Sequence, residues 1–347
     1  AYDNKENPDI AQVEKVIYDL QGKAHTDYIS ANHKIRNAFY PLIIGEKVSH
    51  LLANGVTFGN PKHKEKLGKN FDDVNKKIYR DALLCGRSYG FYTGDKVINL
   101  PFLNTVRVLD DYSGELASCI YYTQISPDKP FLVHLYEPDG FTVYSRENTD
   151  ALRLVQAKRA YKRPFKASKA EGKYEILSEN SSRLPIFTMF NLKNQSELIG
   201  NLKILIAIDI IMSELCNNVS QAELVYWVLR NYGGMDDIAD ANFIVNLLKS
   251  HVIHVNDDGE ATPHQISVPV DANNAAYVRL KAQLFENMRG ANHEILSAGN
   301  LTATQIKAAY SRLREFSGEI ESNVFDFIRG MMNIAGIDED ETFTVIY

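Results

Sequence analysis

The stretch LTATQIKAAYSRLREFSGEIESNVFDFIRGMMNIA, residues 301–335, decides the fold. In it Ile306, Tyr310, Leu313, Ser317, Ile320, Val324, Phe327, Met331 and Ile334 recur at alternating spacings of four and three. That rhythm lays one apolar seam along a single helix face. An unbroken helix over Ala303 to Ala335 would run about 50 Å at 1.5 Å per residue, long for a compact domain. The sequence therefore predicts a bend, and Ser317-Gly318 is the pair expected to make it.

Upstream of this helix lie a polar loop flanked by Gly290 and Gly299 and, before it, a second helical pattern over residues 271–289. Tyr277, Leu280, Leu284, Phe285 and Met288 fall on one side of that helix, while Arg279, Gln283 and Glu286 stand on the other at i, i+4, i+7. Further upstream, Leu202, Ile204, Leu205, Ile206, Ile208, Ile210, Ile211 and Met212 form a helix interrupted only by Lys203 and Asp209. A helix apolar on nearly all sides needs more than one neighbour to cover it. The run is shorter than the ~20 apolar residues a bilayer span requires.

The 347 residues are 45% hydrophobic, enough for two or three substructures with a sizeable core. A net charge of -6 argues against a protein held on polyanions by bulk positive charge. Cys85, Cys119 and Cys216 are far apart and lack CxxC spacing, so they read as small buried apolar residues in a reducing compartment. Ala1 in place of Met leads us to expect that the chain begins inside a longer product.

Residues 7–53 read as mostly helical with a division at Gly22, and Phe71, Val74, Ile78, Ala82 and Leu83 as a helix stopped by Gly86. From Ser88 to Leu177 the chain is rich in Tyr, Phe, Val and Thr, with turn signals at Thr93-Gly94-Asp95, Asp110 to Gly114 and Pro138-Asp139-Gly140. This pattern predicts an antiparallel meander. Its last hairpin, residues 158–173, carries seven Lys and Arg against Glu171 alone, a contact for an acidic partner or a solvated edge that discourages strand pairing. Between the first two core helices, residues 232–270 contain a short helical piece and a hairpin expected to turn at Asp257-Asp258-Gly259, with Lys249 facing six acidic residues. The fold class is α+β.

Familiar catalytic machinery is absent from the sequence. It has no GxxxxGK[ST] phosphate loop, HExxH or GxSxG. His251 and His254 in HVIHV point to opposite faces of a strand and so do not form a metal pair. Asp110-Asp111 suits a turn, and the acids from Asp338 to Glu341 read as solvated side chains rather than a Mg²⁺ site. No metal or cofactor is called for.

Five blocks, in order along nearly the whole chain, carry a resemblance. They are Tyr18 to Gly22 with Asn32 to Ile35, PLIIGEKVSHLLANGVTF from Pro41, ALLCGRSYGFY from Ala82, LPIFTMFNLKNQSE from Leu184, and LTATQIKAAYSRL from Leu301. Together they resemble the portal proteins of tailed double-stranded DNA phages of the siphovirus type, from a phage or a prophage. The resemblance implies a virion protein, assembled in the host cytoplasm into a ring of usually twelve subunits at one capsid vertex. DNA would pass through the ring without sequence recognition, driven by a terminase large subunit. A head-tail adaptor and capsid and scaffold proteins would be its other partners.

Carried over by position, residues 1–200 would be the wing, 201–231 and 271–289 the stem helices, 232–270 the clip and 290–301 the tunnel loop. Residues 302–336 would be the long bent helix and 337–347 a return strand, with the crown of the relatives missing after Tyr347. Thr302-Ala303 stands where relatives have a Ser-Gly pair, a departure at the loop's C-terminal hinge.

Under this reading Gly290 and Gly299 let the loop leave and re-enter helices at sharp angles. Asn292, His293, Ser297 and Asn300 would offer replaceable hydrogen bonds to phosphates, Glu294 being the only formal charge, while Ile295 and Leu296 would pack on a neighbour's loop. Arg279, Gln283 and Glu286 would face the channel, and the clip hairpin at Asp257, Asp258 and Gly259 would dock partners. A channel with few basic residues lets DNA slide, since each phosphate neutralised adds affinity. The alternatives are a metal-dependent DNA-processing enzyme such as a nuclease, or another head-tail connector component.

Overall fold

The computed structural model describes residues 1–18, 22–27, 30–147, 151–161, 183–221, 225–230, 260–265, 270–297, 302–338 and 340–345. The chain divides into two units. One comprises residues 1, 5–37 and 204–282, the other 2–4, 38–203 and 283–347.

The larger unit is built around helix α4 (Phe71–Cys85) and a three-stranded antiparallel sheet. Phe71, Ile78, Tyr79, Ala82 and Leu83 are buried on one face of α4, the face that the sequence marks. The helix stops at Gly86, whose φ of 88° is left-handed, and a Cβ there would lie 2.6 Å from the Asn194 carbonyl oxygen. Only glycine satisfies both conditions. The sheet has the order β11 (Ile186–Phe190), β4 (Arg87–Tyr92), β5 (Val97–Leu100).

The meander follows as β6 (Thr105–Leu109), β7 (Leu116–Thr123), β8 (Phe131–Glu137), β9 (Gly140–Arg146) and β10 (Arg153–Arg159), paired in sequence order. All three expected turns lie between its strands or those of β4 and β5. The expectation of one continuous meander from Ser88 is corrected: β4 and β5 belong to the separate sheet, because β11 returns from far along the chain to pair with β4. Tyr136 and Cys119 on the inner face of the five-stranded sheet join Tyr89, Phe91, Leu100 and Ile186 in a shared core.

The long helix is in fact two, α8 (Ala303–Ala309) and α9 (Ser311–Ile334), divided at Tyr310. The bend expected at Ser317-Gly318 is not there. Ser317 is buried and its hydroxyl donates to the Leu313 carbonyl 2.9 Å away, within a continuous helix. The seam that is buried starts at Leu313 and runs through Phe316, Ile320, Val324, Phe327 and Met331, while Ile306 and Tyr310 are exposed. Helix α9 lies so close to the sheet that a Cβ on Gly90 would sit 2.6 Å from Phe327 Cζ, and one on Gly330 2.5 Å from Phe187 Cδ2. Beside this core stand α2 (Phe39–Leu52), β3 (Val56–Phe58) and α3 (Pro61–Leu67). The expected return strand is β14 (Phe343–Val345), antiparallel to β3.

In the smaller unit the expectation of a mostly helical start fails. It begins with a one-turn helix, α1 (Pro8–Ala11), capped by the Asn7 side chain, and a hairpin of β1 (Val16–Tyr18) and β2 (Ala24–Thr26). The β-branched pair Val16-Ile17 and the following Tyr favour strand, and a hairpin partner eight residues on lets them take it.

Helix α5 (Leu202–Gln221) carries the hidden organising feature of this unit. Asp209, Ser213 and Asn217, four residues apart, are buried and accept the backbone N–H groups of Asn37, Ile35 and His33 at 2.8, 2.9 and 2.6 Å. Four helical residues advance about 6 Å and two extended residues about 6.6 Å. An extended segment thus runs antiparallel along the stripe in near register. The stem helix expected to reach residue 231 ends at Gln221, and Val225–Arg230 form β12, paired with β13 (Glu260–Gln265). The run VYWVLR is β-branched and aromatic, which favours strand over helix. No helix among the described residues is long and apolar enough to cross a membrane.

Candidate functional site

The segment after helix α6 (Val270–Asn287) is where the chain turns out of one helix and into the next. Arg289 adopts a left-handed φ of 52°, and the Gly290 amide donates to the Phe285 carbonyl at 2.9 Å. A one-turn helix, α7 (His293–Leu296), follows. Asn292 starts it, its Oδ1 accepting from the Ile295 amide at 3.2 Å, and its own amide donates to the Ala309 carbonyl at 2.9 Å. The Ala291 amide donates to Glu46 Oε2 at 3.1 Å, and His293 Nε2 stands 2.5 Å from Glu46 Oε1. The His293 ring also meets Phe285 edge-on, with centroids 5.2 Å apart.

The polar side chains of this loop already have partners within the chain. Asn292 caps α7 and His293 is held by Glu46. The first half of the loop contains the helical turn α7. Ser297 is exposed, and Glu294 lies within α7. Gly299 and Asn300 lie outside the described residues.

Arg279, Gln283 and Glu286 are exposed on one face of α6, with Leu284 and Met288 buried on the other, as the spacing predicts. Glu286 is engaged by Arg312, whose Nη2 is 2.9 Å from Glu286 Oε1. A second pair, Arg289 Nη1 to Glu319 Oε2 at 2.7 Å, also ties the end of α6 to α9. Both pairs are at the surface and individually weak.

The connection that leads into α5 is tightly held. The Asn191 amide donates to the Gly86 carbonyl at 2.9 Å, the Glu197 amide to Leu83 at 3.0 Å and the Ser196 hydroxyl to Leu84 at 2.5 Å. These contacts satisfy carbonyls that α4 leaves open at its C-terminus. Lys193 and Asn194 both take left-handed φ values, 54° and 55°. Glu197 Oε2 receives Lys47 Nζ at 2.5 Å, and that ammonium lies 3.7 Å from the Phe316 ring centroid. Burial pushes the Lys47 pKa below its usual value, with the Glu197 charge acting in the opposite direction. Sequence reading missed this cluster, since a lysine in an amphipathic helix ordinarily reaches solvent; its place between Ile44 and Leu51 on the buried face was the available signal.

Other sites are more ordinary. The Asp110 carboxylate accepts from the Ser113 and Tyr112 amides, which lower its pKa, as a turn aspartate does. Glu341, expected to be solvated, instead accepts from the Asn60 amide at 2.8 Å and from His63 Nδ1 at 2.7 Å. Lys158 of the basic hairpin is paired with Glu137 and Asp139, and residues 162–173 of that hairpin lie outside the described residues. So do Asp257, Asp258, Gly259, His251 and His254. Cys119 is buried, whereas Cys85 and Cys216 are only half-buried.

A family model described as "Phage portal protein, SPP1 Gp6-like" matches residues 1–336. The portal protein of Clostridium phage phiCD119 (strain Clostridium difficile/United States/Govind/2006) is 24% identical over 353 residues, covering 92% of this chain and 75% of the relative. Among solved structures, the neck of a native GTA particle computed with C12 symmetry aligns with a TM-score of 0.45 at 10% identity, over 88% of this chain and 78% of that one. An HK97 family phage portal protein from Corynebacterium diphtheriae aligns with a TM-score of 0.42 at 9% identity, over 91% and 96%. With the family model spanning all but the last residues, the chain belongs to the SPP1 Gp6-like phage portal proteins, structural and non-enzymatic components of the virion.

Proposed function

We propose that this portal protein closes into a ring of twelve copies at one capsid vertex and forms the channel through which double-stranded DNA is packaged and later ejected. Residues 1–200 act as the wing, 201–221 and 271–289 as the stem helices, 232–270 as the clip and 290–301 as the tunnel loop. Arg279, Gln283 and Glu286 face the channel. The clip, with Asp257, Asp258 and Gly259, docks the terminase large subunit during packaging and a head-tail adaptor afterwards, and the wing meets capsid and scaffold proteins. The nuclease alternative has no place in a family of non-enzymatic virion proteins.

The observation that supports the ring is α5. Its Leu202, Ile204, Ile206, Ile210, Ile211 and Met212 are only half-buried in one chain, leaving apolar flanks for neighbours to cover. Sedimentation and electron microscopy of the full-length protein test it. Closed rings with α5 strongly protected from hydrogen exchange are expected. A monomer that remains stable at high concentration with α5 already protected overturns the proposal.

A further inference from the structure

The two ends of the excursion formed by α7 and α8 meet on one face of α2. Ile43, Glu46 and His50, at i, i+3 and i+7, occupy that face. A Cβ added to Gly290 would lie 3.4 Å from two Ile43 side-chain carbons and 3.0 Å from Phe285 Cδ1, so the backbone is seated closely against the helix. Glu46 takes the Ala291 amide with one carboxylate oxygen and His293 Nε2 with the other. The Asn292 amide reaches across to the Ala309 carbonyl, closing the excursion at its base. At the returning end, the Tyr310 ring stacks on His50 with centroids 6.3 Å apart and planes within 6°. Tyr310 is also where α8 and α9 part.

We propose that Glu46 is the positioning residue of the tunnel loop. Its carboxylate pins the base from which α7 departs and to which α8 returns, and it withholds His293 from phosphates. This rests on the reading of residues 290–301 as the channel loop. A carboxylate can do this because charge-assisted hydrogen bonds are roughly twice as strong as neutral ones and two of them fix an orientation as well as a distance. Tyr310, stacked on His50, marks where the excursion returns. That arrangement accounts for a helix break at Tyr310 that the apolar seam does not ask for.

The test uses full-length rings carrying Glu46→Ala, Glu46→Gln or His293→Ala, with hydrogen exchange read by peptide and packaging of double-stranded DNA measured in procapsids. In Glu46→Ala, exchange of residues 291–297 should rise about tenfold or more with α9 unchanged, and DNA packaged per procapsid should fall, since the released His293 is able to grip phosphate. Glu46→Gln keeps an acceptor for the Ala291 amide and should recover part of both effects. His293→Ala should loosen the loop less than Glu46→Ala and leave packaging nearer wild type. Should Glu46→Ala fail to form rings, the Gln and His293 variants carry the comparison. Unchanged exchange at 291–297 in Glu46→Ala and Glu46→Gln overturns the positioning role. Raised exchange with wild-type packaging keeps Glu46 as the anchor and instead removes the reading of this loop as a channel element.

Discussion

Lys47 and Glu197, 150 residues apart, form an ion pair of 2.5 Å in which the lysine side chain is 1% exposed and the glutamate 13%. The pair joins α2 to the connection that runs into α5, and the ring of Phe316 closes over the ammonium. Asn191 Nδ2 holds the second carboxylate oxygen at 2.9 Å.

Removing one partner strands the other. Glu197→Ala should destabilise the protein by about 3–5 kcal/mol, because an uncompensated charge is left buried. Lys47→Met with Glu197→Gln should lie within about 1–2 kcal/mol of wild type, since the desolvation of both charges is removed while Gln still accepts from Asn191. Denaturant unfolding of the single and double variants measures the difference. A double variant as unstable as Glu197→Ala would show that the charges themselves are needed.

The closeness of α9 to the sheet makes Gly90 sensitive. Gly90→Ala places a methyl 2.6 Å from Phe327 Cζ and should cost about 1–3 kcal/mol. Phe327→Leu in the same chain should return part of that stability by vacating the ring edge. Thermal melts of the two variants decide it, and a neutral Gly90→Ala would mean that α9 shifts freely on the sheet.

Asp209 accepts from Asn7 Nδ2 at 2.7 Å and from both the backbone and side chain of Asn37. Asp209→Ala removes the acceptor these donors share and should destabilise the protein by about 1–3 kcal/mol. Amides of His33, Ile35 and Asn37 should exchange faster in this variant, with Asp209→Asn intermediate because it retains one acceptor oxygen. Hydrogen exchange resolved to residues 33–37 checks the order of the three proteins.

The clamp at Glu341 predicts a pH dependence. Hydrogen bonds from the Asn60 backbone, and then His63, hold its pKa below the ordinary 4.5. The folded pKa is the lower one, so its contribution is complete above pH 4.5 and is lost as pH falls through the folded value. Protection of β14 against exchange should therefore decline below pH 4.5 in wild type. In Glu341→Gln this particular dependence should disappear, and an unchanged acid profile would place its origin elsewhere.

Local pattern identified the apolar face of several elements. Phe71 to Leu83 declared α4, Gly86 declared its end, the Tyr- and Val-rich run declared the meander, and Leu313 to Met331 declared the face that α9 buries. The exposed side of α6, with Arg279 and Gln283, was legible in the same way, because a helix sorts its side chains every 3.6 residues whatever lies nearby. Five blocks of ordered motif carried the family.

What a face meets was not legible. Glu46 lies 245 residues from Ala291, and nothing in its own helix distinguishes it from a solvated glutamate. The partner of β4 is β11, nearly a hundred residues on, and that pairing removed β4 and β5 from the meander. Tyr310 ends a helix because Asn292 and His50 engage its neighbourhood, whereas Ser317, the better breaker by composition, closes a hydrogen bond within its own turn. Periodicity reports the solvent preference of each side chain, which the sequence determines alone. Hydrogen bonds and close packing between distant segments depend on where the chain returns, and only the tertiary structure decides that.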